Sequence, residues 1–81
     1  MWISAKFPSG ASYRFSVGRN GERITMAFSN NNAESNIQLK IFNEYMKFHK
    51  GETNEDRFNR LERLTKQCTS GKMLIELMKE N

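Results

Sequence analysis

One cysteine, one histidine and one proline occur in 81 residues, and no apolar run approaches the 18 or so residues that a membrane helix needs. Each scarcity excludes something. A lone Cys68 cannot close an internal disulfide, which fits a reducing compartment. A lone His49 beside a lone Cys68 cannot complete a zinc site, so no metal is expected. Carboxylates are not clustered, and Gly18, Gly21, Gly51 and Gly71 form no phosphate-cradling loop with a following Lys-Ser/Thr. Acid–base and nucleophilic chemistry therefore lack their groups, and the expectation is a non-enzyme without cofactor. No charged leader with an apolar stretch opens the chain, so it should be soluble, cytoplasmic and free of membrane.

What is present is a small, aromatic-rich and basic chain. Six Phe, two Tyr and one Trp argue against a disordered tail. Thirteen Lys and Arg against nine Asp and Glu leave a net charge of +4, a bias towards acidic partners. At this length one domain, 1–81, buries only about 60–65% of its extended surface, and every apolar face needs cover.

The stretch YRFSVGRNGERITMAF, residues 13–28, reads as two alternating runs around Asn20-Gly21, the strongest short hairpin signal. A two-residue turn there pairs Val17 with Ile24, Phe15 with Met26 and Tyr13 with Phe28. The preceding WISAKFP run joins through Ser9-Gly10-Ala11, setting Phe7 against Tyr13, Ala5 against Phe15 and Ile3 against Val17. Residues 1–29 are thus expected to form a three-stranded antiparallel meander with one apolar face. Its other face carries Trp2, Ser4, Lys6, Arg14, Ser16, Arg23, Thr25 and Ala27, with Arg19 at the hairpin tip. Lys6 and Arg14 fall nearly opposite each other, a pairing that costs stability.

Beyond the polar SNNNAES linker the pattern turns helical. Residues 33–50 predict a central helix, capped by Asn32 or Ser35, whose apolar residues spread over about 200° and so need cover from two sides. His49, Lys50 and Gly51 stop it, His49 serving the helix dipole. Thr53 or Asn54 begins a second helical region, 53–80, as one bent helix or a pair. Phe58, Leu61, Leu64, Thr65 and Cys68 form its first apolar stripe, with Cys68 a small buried hydrophobe. Ser70-Gly71 marks the break. Met73, Leu74, Ile75, Leu77 and Met78 then predict a short final helix. Strands followed by helices make an α+β fold: a three-stranded β-meander with two or three α-helices on one face.

Charge is uneven along this order. Residues 1–29 carry +3, residues 30–50 carry +1, and residues 51–81 balance to zero. Cations with an aromatic on an exposed sheet suit phosphates and stacked bases, so nucleic acid, as RNA or single strands rather than duplex, is the first expected partner. Lys6, Arg14, Arg19 and Arg23 would hold phosphates, and Trp2 would stack. The chain lacks the aromatic and basic consensus of an RNA-recognition motif. The plainer reading is a solvated face with Trp2 folded over the core edge. The rival function is an inhibitor or adaptor docking the same basic face on an acidic protein. In size, basicity and lack of catalytic groups the chain is similar in type to the small accessory proteins made by viruses of bacteria. A third option is a homo-oligomer through the final helix, using Met73, Leu74, Leu77 and Met78. Arg57, Arg60, Arg63 and Lys66 recur every three residues and read as a solvated, salt-bridged helix face.

Overall fold

The computed structural model describes residues 1–18, 22–68 and 73–80. Its elements are β1 (Trp2–Lys6), β2 (Ser12–Ser16), β3 (Ile24–Ala27), α1 (Asn32–Tyr45), α2 (Asn54–Gln67) and β4 (Glu76–Glu80). The strands form one antiparallel sheet in the order β3-β2-β1-β4, with two helices against it. The α+β class stands, and the sheet gains a strand.

That strand is the main correction. The expected final helix is instead β4, which pairs antiparallel with β1 in the register Trp2↔Glu80 to Lys6↔Glu76. A helix of about ten residues is marginal in isolation. A meander ending at β1 would also leave a row of unpaired backbone groups at the edge of an apolar strand. Pairing satisfies that row. Leu77 then packs against the core side, while Met78 points the other way. Lys79 follows Leu77 to the core side, where its ammonium lies over the Phe58 ring, 4.4 Å from the centroid.

Both meander registers differ from expectation by two residues, a shift that preserves the faces because strand side chains alternate. In the first hairpin Lys6 pairs with Ser12 and Ser4 with Arg14. Gly10, at φ 95°, lets the chain turn tightly over Pro8-Ser9-Gly10, and Phe7 N–H donates to Ala11 O at 2.8 Å. In the second, Phe15 pairs with Ile24 and Tyr13 with Met26. The expected Asn20-Gly21 turn and Arg19 lie outside the described residues, as does the Ser70-Gly71 break.

The core takes Ile3, Ala5, Phe7, Tyr13, Phe15 and Val17 from the sheet, Ile41 and Tyr45 from α1, and Phe58 and Leu61 from α2. Tyr13, Phe15 and Tyr45 stack in series, with centroids 4.8 and 4.5 Å apart. Tyr13 bonds Thr65 at 2.8 Å; since Thr65 spends its proton on Leu61 O, Tyr13 is the donor. β3 fares differently. Met26 is partly covered, but Ile24 and Phe28, expected in the same apolar face, stand exposed.

α1 starts from Asn31, whose side chain accepts from Ala33 and Glu34 N–H, and it ends at Tyr45 rather than near Lys50. Its row Glu34, Gln38, Ile41 and Tyr45 faces the sheet. Leu39, Met46 and Phe48 remain about half exposed, so the broad apolar arc is covered on one side only. Of the two expected starts, Thr53 and Asn54, it is Thr53 that caps α2, in a capping box closed by Asp56. Cys68 is half-buried at its end.

Polar groups fasten the linkers. The Glu34 carboxylate accepts from the hydroxyls of Ser9 and Ser29, and these two bonds hold its pKa below the usual 4.5. Lys47 does the same for Glu44, and Arg60 for Glu52. A carboxyl depressed in the folded state stabilises it above the unfolded pKa, and that contribution is lost as pH falls through the lower folded value. The urea midpoint should therefore hold steady down to about pH 5 and then decline, with a shallower decline in Glu34→Gln.

Candidate functional site

Alternation sets Trp2, Ser4 and Lys6 of β1 and Ser12, Arg14 and Ser16 of β2 on the face away from the helices. Thr25 joins them from β3. Arg23 precedes β3 on the same side, since Ser16 N–H donates to Arg23 O at 2.9 Å and continues the ladder. The expected outer face exists, but β4 adds Glu76, Met78 and Glu80 to it. Among the described residues the face thus carries Lys6, Arg14 and Arg23 against Glu76 and Glu80.

The cations are correspondingly committed. The Arg14 guanidinium lies 4.3 Å over the Trp2 ring and 2.9 Å from Glu80 Oε2, an oxygen that accepts no hydrogen bond among the described residues. Arg14 is still 49% exposed, so the pair is worth at most about 1 kcal/mol and can open. Lys6 stands across from Glu76 rather than from Arg14, which removes the expected like-charge opposition. Between them is a shallow depression of about 490 Å³, floored by Ser4 and Ser12 and rimmed by Lys6, Arg14, Glu76 and Met78.

The four apolar residues assigned to an oligomer patch do not share a surface. Leu77 and Met73 are partly buried against the core, whereas Met78 sits on the outer face and Leu74 is 73% exposed. A strand divides what a helix would have gathered.

The second helix holds the residue that the sequence reading misplaced. Arg57 is 1% exposed. Its guanidinium donates to Gly18 O at 2.6 Å, to Tyr45 O and to the Glu22 carboxylate, and it lies 4.5 Å from the Tyr45 centroid and 4.4 Å from that of Phe48. Its Nε finds no acceptor among the described residues. One side chain from α2 thus holds both Gly18 and Glu22, the residues that follow β2 and precede β3. A signal was present: Arg57 falls on the same four-residue row as Leu61 and Thr65, both fully buried. Arg60 and Lys66 behave as expected for a salt-bridged face. Arg60 grips both Glu52 oxygens and the carbonyls of Glu44 and Lys47, while Lys66 meets Glu62 at 3.7 Å. Arg63 is exposed.

No group of three or more potential metal ligands occurs among the described residues, and no described helix is long and apolar enough to cross a membrane. Comparison with protein-family models, curated proteins and solved structures finds no match for this chain.

Proposed function

We propose that the chain is a non-enzymatic inhibitor or adaptor that docks the outer face of its sheet on a protein partner. The observation that carries this reading is the pair of carboxylates, Glu76 and Glu80, that β4 sets beside Lys6 and Arg14. A polyanion gains from each cation along its path and is repelled at each acid. Stacking a base on Trp2 would also require displacing the Arg14 guanidinium. A protein surface can match mixed charge, and Arg, Trp and Met are residues that interfaces favour. Met78, half exposed beside the depression, supplies the apolar contact.

The test compares two kinds of partner. Labelled single-stranded RNA, single-stranded DNA and duplex are titrated by anisotropy at about 50 and 200 mM salt. In parallel, wild type, Arg14→Glu/Met78→Lys and the control Arg63→Glu serve as affinity baits. The expected result is no saturable oligonucleotide binding at the higher salt, and a protein partner kept by wild type and Arg63→Glu but lost by the double variant. Saturable, salt-steep RNA binding that disappears in Arg14→Glu would overturn the proposal in favour of nucleic acid. So would a set of captured proteins that the double variant leaves unchanged.

A further inference from the structure

We propose that β3 is a self-pairing edge, through which two copies of this chain join their sheets about a two-fold axis at Thr25. The inference is independent of what the outer face binds.

The sheet has two edges, β3 and β4, and they differ. Edge strands are usually blunted by charge, proline or a bulge. β4 follows that rule with Glu76, Lys79 and Glu80; pairing it with itself about Met78 would oppose Glu76 and Glu80 of two copies on one face. β3 reads Ile24-Thr25-Met26-Ala27 and has no charge, no proline and no such penalty.

The hydrogen-bond phase sets the register. Because Ser16 N–H bonds Arg23 O, the bonded pairs between β2 and β3 are Ser16–Arg23, Arg14–Thr25 and Ser12–Ala27. The N–H and C=O groups of Ile24 and Met26 therefore point out of the open edge. Setting Ile24 against Met26 of the second copy, and the reverse, satisfies all of these groups with four hydrogen bonds. Thr25 then faces Thr25 of the second copy, a favourable cross-strand pair. Arg23 meets Ala27, so no like charges oppose.

Side chains fit the same register. Phe28, 61% exposed, falls opposite position 22 of the second copy. There Glu22, Ile24, Tyr45, Met46 and Phe48 line a depression of about 290 Å³. Ile24, Met46 and Phe48 are themselves exposed along this edge. The register thus sets the aromatic side chain of each copy opposite the residue at the rim of the other's largely apolar hollow.

Sedimentation equilibrium of the full chain over a concentration series tests this. The expected result is a mass rising towards twice 9.5 kDa, with Thr25→Lys weakening the association about tenfold or more while the far-UV spectrum stays unchanged. A register test runs beside it in a Cys68→Ser background. Thr25→Cys should cross-link under mild oxidation, because a facing non-bonded pair has Cα atoms about 4.5 Å apart, whereas Ala27→Cys should not. A chain that stays monomeric up to about 1 mM would overturn the proposal. A dimer indifferent to Thr25→Lys, or one that cross-links equally through Ala27→Cys, would overturn it too.

Discussion

Arg57→Met should lower the unfolding free energy by about 3–5 kcal/mol, the cost of removing one partner from a buried ion pair. The Glu22 carboxylate and the carbonyls of Gly18 and Tyr45 all lose their donor together. Methionine fills similar space but offers no hydrogen, so the desolvation of three acceptors goes uncompensated. For 81 residues a total stability of about 4–12 kcal/mol is ordinary, so the variant should be largely unfolded at modest urea. Arg57→Lys should fall between the two, because a point ammonium cannot serve three acceptors arranged around a planar fork. Glu22→Gln should be the mildest of the series, since its carboxamide oxygen still accepts from Arg57. Urea midpoints of the four proteins settle the matter. An unfolding free energy for Arg57→Met within about 1 kcal/mol of wild type would show that the clamp is not what fixes the hairpin base.

Phe15→Ala should cost a similar amount, about 3–5 kcal/mol, by a different mechanism. Phe15 is 0% exposed and lies between Tyr13 and Tyr45, with interplanar angles of 20° on both sides. Its removal forfeits transfer energy and leaves a void between two rings, each held at its hydroxyl: Tyr13 to Thr65, Tyr45 to Ser16 O at 2.8 Å. Those bonds keep the rings from collapsing into the space. Phe28→Ala is the control; at an exposed position the monomer's stability should barely change. Because Tyr45 touches both Phe15 and Arg57, the two large losses should not add in the double variant. Full additivity in a double-mutant cycle would mean that Tyr45 does not couple them.

The meander's faces are legible in the sequence because a period of two is insensitive to a register shift of two residues. Slipping each hairpin by two residues keeps Ile3, Ala5, Phe7, Tyr13, Phe15 and Val17 inward, where all six are buried. The registers themselves were not legible: one hairpin closes through a tight turn at Gly10, and the base of the other is held by an arginine 39 residues further along. Met73 to Met78 was misread because a short apolar run satisfies either period, and only the empty edge of β1 decides between them. The same decision altered the candidate site, since strand alternation carries Glu76 and Glu80 onto a face read as purely basic. The burial of Arg57 is hidden in the sequence because its spacing of three to the other basic residues matches a solvated face, while its spacing of four to Leu61 and Thr65 places it on the buried row.

The return of β4 to β1 also bears on how quickly the native state is reached. Lys6 and its partner Glu76 are 70 positions apart in the chain, against six for Lys6 and Ser12. Loop closure grows with the logarithm of that separation, so this seam costs about 2 kcal/mol more to bring together than the first hairpin. The local hairpins and helices can form without it, but the central strand cannot lose its open edge until the last described residues arrive. Rate and robustness therefore reside at opposite ends of the sheet: the Arg57 clamp holds the β2–β3 side once folded, while the β1–β4 seam sets how long the chain takes to get there.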